Sequence, residues 1–147
     1  MNIVEIEKLL TQLTPNQKPL WGKMTLQHMV EHLYKTIQAS INEISLNVYT
    51  EERKIPVLKK LFLGDRALPK EFMNPAIGPE LMSLEFENLN SAIIELAKVM
   101  YRYDKFFNEN PSAKTAHPIF GFLNKEEWDT FHQKHLKHHL SQFGLSD

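Results

Sequence analysis

The sequence predicts an all-α fold, a four-helix bundle with a long crossover between the second and third long elements. Three observations predict it. Apolar residues recur at helical spacing in several separate segments. No segment of useful length alternates with period two, so a sheet is not expected. The chain of 147 residues, 42% hydrophobic and 24% charged, has ordinary globular composition and suits one domain, residues 1–147, around one core.

The elements follow in order. Ile3 to Leu13 reads as a short amphipathic helix, broken by the turn residues of Thr14-Pro15-Asn16-Gln17-Lys18-Pro19. Thr25 caps a long helix expected to run to about Leu46, with a stripe of Leu26, Met29, Val30, Leu33, Ile37, Ile41 and Ile44. Thr50 to Leu63 is expected to be a helix interrupted near Pro56. Gly64, Pro69, Pro75, Gly78 and Pro79 then mark a long loop. The third long helix is expected from about Glu80 to Asn108, with Met82, Phe86, Leu89, Ile93, Leu96, Met100 and Phe107 on one face. Ala116 to Leu123 is an apolar loop with turn chemistry at Gly121. Asn124 starts the last helix, Glu127 completes a capping-box pattern, and Gly144 suits the position just past its end.

That last helix carries the chemistry. His132, His135, His138 and His139 are four of the chain's seven histidines. With Trp128 set at 0° and about 100° per residue, His135 falls at about 340°, His139 at about 20° and His132 at about 40°. Phe131, Leu136 and Phe143 share that arc, while Glu126, Thr130, Gln133, Lys134, Lys137 and Ser141 occupy the opposite one. Three imidazoles therefore sit mid-way across the apolar face, with His138 at its edge. Buried imidazoles need partners, since an unsatisfied buried polar group costs about 1–3 kcal/mol. A shared metal ion answers that need, and so do water and carboxylates. His135 and His139, four apart, are spaced to bind one ion together.

Composition narrows the alternatives. Net charge is −1, which gives no electrostatic case for nucleic acid or an anionic membrane. The absence of cysteine excludes disulfides, a cysteine nucleophile and Cys-ligated zinc or iron–sulfur sites, so any metal must be held by His, Asp or Glu. No secretory signal pattern or bilayer-length apolar run is found, and a cytoplasmic protein is the default expectation. Serine-nucleophile and phosphate-loop motifs are also missing.

A catalytic zinc site usually takes three protein ligands. The second helix offers His28 and His32. Its apolar stripe leaves His28 on the opposite, solvated side and His32 off the main core face, beside Met29, Thr36, Ala39 and Glu43. His132 is the rival ligand on the last helix. His117 is open to two readings, lining a pocket or ordering its loop. Glu31, Glu43 and Asp129 are candidate acceptors for a ligand imidazole or general bases, each weighed against a plain solvated carboxylate.

Two stretches go further. Trp21-Gly22-Lys23-Met24-Thr25, leading to Met29-Val30-Glu31-His32-Leu33, is one; His117-Pro118-Ile119-Phe120-Gly121, Glu126-Glu127-Trp128 and His135 to Leu145 make the other. With them the chain resembles the DinB/YfiT-like superfamily of metal-dependent four-helix proteins, and within it an uncharacterised DinB-like subfamily. The resemblance implies the four-helix fold over nearly the whole chain. It also implies one divalent metal, zinc or nickel, on three histidines: one from the second helix, two from the last. Those positions are His32, His135 and His139, with His138 as the neighbouring non-ligand. A homodimer and a small-molecule substrate are expected on the same ground, as is metal-dependent hydrolysis or transfer to a small thiol. The competing expectation is a noncatalytic binding or assembly module with a histidine-rich polar core. A third reading is a dinuclear site that recruits His132 and Glu43.

Overall fold

The computed structural model describes residues 3–69 and 82–145. Helix α1 spans Ile3–Leu10, α2 Leu26–Ser40, α3 Ile55–Phe62, α4 Leu89–Glu109 and α5 Lys125–Gln142. A single 3-10 turn, Glu52–Lys54, leads into α3. Strands β1 (Thr115–His117) and β2 (Gly121–Leu123) form a two-stranded hairpin between α4 and α5. The fold is thus mostly helical, and no described helix is long and apolar enough to cross a membrane.

The packing centre is α2 against α4, with α5 laid along α2 and α1 against α4. Ile6, Leu26, Met29, Leu96, Phe107 and Trp128 are among the side chains that close the core. The histidine arc of α5 turns inward: Trp128, Phe131, His135, His139 and Leu140 are buried.

Helix ends depart from the periodic pattern where local chemistry overrides it. Helix α2 stops at Ser40, short of the expected Leu46, because Asn42 takes a left-handed conformation with φ 60°. The Asn42 N–H bonds the Ala39 carbonyl and the Glu43 N–H the Gln38 carbonyl, the double bond of a Schellman stop. Ile41 and Ile44 continued the apolar stripe past this stop. Pro56 starts α3 rather than interrupting it, sitting in the first turn, where its missing N–H has no intrahelical partner to lose. Helix α4 begins at Leu89, later than the expected Glu80, because the Asn88 side chain accepts the Ser91 N–H at 2.8 Å and caps it there. Residues 82–88 are not helical, and Glu80 and the loop markers Pro75, Gly78 and Pro79 lie outside the described residues.

The hairpin corrects the expectation of a plain loop. Thr115 pairs with Leu123, Ala116 with Phe122 and His117 with Gly121. Strands of three residues are too short to show a period of two. Gly121, at φ 69°, makes the turn back into β2, and an added Cβ there would lie 2.8 Å from Ile55 of α3. The hairpin is tied to the helices by Thr115: its hydroxyl accepts from Trp128 Nε1 at 2.7 Å and donates to the Ser40 carbonyl at 2.8 Å.

Candidate metal centre

The site lies where α2 and α5 face each other. On α5, the capping box of Asn124 and Glu127 fixes the helix start. The i, i+4 spacing then stacks His135 and His139 one turn apart on the buried face. On α2, Thr25 Oγ1 accepts the His28 N–H at 3.1 Å and sets the phase that carries His32 to the same place. The three Nε2 atoms converge: His32 to His135 is 2.9 Å, His139 to His135 is 3.0 Å, and the ligating atoms of all three lie within 4.8 Å of one another. They are the metal-compatible histidine or carboxylate group found among the described residues.

Protonation chemistry makes the geometry informative. The Gln142 amide nitrogen donates to the Trp21 carbonyl at 3.1 Å, which turns Gln142 Oε1 toward His139. His139 Nδ1 then donates to that oxygen at 2.9 Å, leaving the His139 Nε2 lone pair bare. Burial holds His32 and His139 neutral, pushing their pKa values down to about 4 and about 3, and drives that of His135 well below 6.5. Each neutral Nε2 is either donor or acceptor, never both. His135 Nε2 therefore cannot donate to His139 while accepting from His32, so at most one ordinary hydrogen bond serves the two short contacts. Lone pairs aimed at a common cation resolve that conflict. In a tetrahedral zinc site with bonds of about 2.0–2.1 Å, neighbouring nitrogens lie about 3.3 Å apart, close to the spacing seen. Three histidines this close together could hold a divalent metal ion.

The surroundings keep the rings in place. Phe131 stacks on His135 with centroids 5.1 Å apart and planes at 22°. Trp21 and Gly22 hold Gln142: besides the Trp21 carbonyl contact, Leu20 N–H bonds the Gln142 carbonyl at 2.7 Å. Gly22 has φ 80°, and an added Cβ there would lie 2.8 Å from Gln142 Nε2. That is the physical reason for a glycine after Trp21. Gln142 was not among the residues singled out from the sequence, although its i, i+3 relation to His139 on one helix was available.

The other candidates go elsewhere. His132 Nε2 lies 3.0 Å from Ser40 Oγ, whose own proton goes to the Ile37 carbonyl, so His132 is the donor. His132 also stacks on Trp128 at 5.1 Å. Glu43 takes Arg102 in a bidentate pair at 2.6 and 2.9 Å. The structure therefore does not bring His132 and Glu43 to the three histidines. His117 orders its loop: it is fully buried, and its Nδ1 accepts the Ile119 and Phe120 N–H groups at 3.0 and 3.3 Å. Asp129 takes the Tyr103 hydroxyl at 2.7 Å and Lys125 at 2.6 Å.

Glu31 is the clearest departure. A solvated carboxylate was expected, yet it is buried. Its oxygens accept the Glu85 N–H at 2.6 Å, the Phe86 N–H at 3.3 Å and Gln27 Nε2 at 2.9 Å. It pins the chain entering α4 onto α2, next to His32.

Residues 95–145 match a family described as a protein of unknown function, DUF1569. The match covers most of α4, the hairpin and all of α5, with His135 and His139 in it. No curated protein and no solved structure matches the chain.

Proposed function

We propose that the chain is a mononuclear metalloprotein of the DinB/YfiT-like four-helix class, holding one divalent ion, zinc or nickel, on His32, His135 and His139. The observation that carries this reading is the meeting of three neutral imidazole nitrogens in an arrangement that hydrogen bonds alone leave unsatisfied. The DUF1569 match supports it, because that family is DinB/YfiT-like. Gln142, by accepting from His139 Nδ1, fixes the ligating tautomer. An ion on three neutral ligands keeps its double charge and supplies Lewis acidity, which suits hydrolysis or activation of a small thiol for transfer. The chain's own residues supply binding and orientation, and the substrate is a small molecule.

A second reading has its own observation. His117 and His132 are imidazoles packed into the interior on hydrogen bonds and rings alone. The same use of His32, His135 and His139 would make the protein a noncatalytic module with a histidine-rich polar core.

Elemental analysis of untagged protein by plasma mass spectrometry separates the two. The first reading expects about one zinc or nickel per chain, lost in His135→Ala/His139→Ala. A chain that takes up neither metal at micromolar concentration, and whose melting temperature neither metal raises, supports the module instead.

A further inference from the structure

A cavity of about 640 Å³ lies among α1, α2, α4 and α5. Its size falls in the range of small-molecule sites, about 300–1,000 Å³. Leu33, Ile37, Leu96, Ala97, Met100 and Leu136 give it apolar walls. Its charged lining is of one sign: Glu5, Asp104 and Asp129, with neither lysine nor arginine. Asp129 already serves Tyr103 and Lys125. Asp104, exposed on α4, has no ion-pair partner among the described residues.

A second observation comes from the centre. His135 is buried, only 5% exposed, and it also lines this cavity. Its Nε2 faces the other two histidines, and among the described residues no hydrogen bond reaches its Nδ1. An imidazole that ligates through Nε2 carries a proton on Nδ1, and such N–H groups are met by a carboxylate, a carbonyl or water. His139 has Gln142 for this purpose; among the described residues His135 Nδ1 has no such partner.

We propose that this cavity binds a small organic amine that also carries a hydrogen-bond acceptor, a site that rests on the three-histidine reading above. The ammonium pairs with Asp104, the apolar body lies along Leu33, Ile37, Met100 and Leu136, and the acceptor takes the His135 Nδ1 proton. An anionic ligand meets Asp104 with no lysine or arginine in the lining to offset it, which disfavours it by charge alone.

The test uses three para-substituted phenols of similar size: tyramine, its neutral counterpart tyrosol and the anionic, slightly longer 3-(4-hydroxyphenyl)propionate. Titration calorimetry is run on the untagged full chain, zinc-loaded and metal-free. Tyramine is expected to bind at least about tenfold more tightly than the propionate, with tyrosol between them. Asp104→Asn, on an exposed helix face, should erase the advantage of tyramine over tyrosol. Ala97→Trp should abolish binding of all three by filling the cavity. Both variants should keep their zinc. Equal or tighter binding of the propionate overturns the proposal, as does a tyramine affinity unchanged in Asp104→Asn. Should Ala97→Trp not fold, Asp104→Asn decides. Zinc at one per chain without amine preference sinks this proposal alone. A chain that takes up no zinc overturns the centre instead, and amine preference in that protein would support the cavity site by itself.

Discussion

At the residue scale, two of the three histidine rings are held by residues that are not themselves candidate ligands, His139 by Gln142 and His135 by Phe131. Gln142 is the example with the sharpest consequence. Its amide is held between the Trp21 carbonyl and His139 Nδ1, so it selects which nitrogen of His139 faces inward. Gln142→Leu keeps the approximate volume and removes the acceptor. Zinc affinity is expected to fall about 10–100-fold while the helical circular dichroism is retained; an affinity equal to the parent's would show that Gln142 does not orient the ligand. Glu31 teaches the converse lesson. The side-chain pattern of α2 does not mark it as buried, because beside the local Gln27 its partners are backbone N–H groups 54 and 55 residues away. His135 and His139 were legible from one helix alone, since their phase relative to Trp128 and Phe131 already pointed inward. His32 was not: its place off the apolar stripe becomes meaningful only when α5 lies beside it.

At the element scale, caps decided where helices begin and end, and stripes did not. Asn42 and Asn88 each cut an apolar pattern that continues past the true helix. Both are legible in retrospect as residues that favour left-handed or capping conformations. The capping box at Asn124 and Glu127 is legible in the sequence, because both of its bonds are local; they form at 2.9 and 3.1 Å. Asn124→Ala should destabilise the fold by about 1 kcal/mol, within a range of roughly 0.5–2, as measured by urea unfolding. The box lies at the far end of α5 from His139, so zinc stoichiometry should not change. Loss of metal in this variant would mean that the whole helix, not its local start, depends on the cap.

At the scale of the whole molecule, burial of neutral histidines couples stability to pH. His117, His132 and His139 are pushed to about 3 and His32 to about 4, all by burial, with His135 lowered as well. Above their ordinary value of 6.5 these groups are neutral in both folded and unfolded chains, and the contribution to stability is complete. As pH falls below 6.5 the unfolded chain takes up protons that the folded one cannot, and each such histidine removes about 1.4 kcal/mol per pH unit. Against a typical domain stability of about 5–15 kcal/mol, several acting together should give a steep acid transition near about pH 5, read by circular dichroism of the metal-free protein. A melting temperature that stays level from pH 7 to about pH 4.5 would show that these rings are not held neutral. The sequence by itself determined the helical class, the inward face of α5 with its two histidines, and the exclusion of cysteine chemistry. Those properties follow from periodicity and composition, which are local. Only the tertiary structure decided that His32 meets them, that Gln142 orients one of them, that His132 and Glu43 turn to other partners, and that a cavity opens beside His135. Each of these depends on which helix faces which, and that is set by packing between residues far apart in the chain.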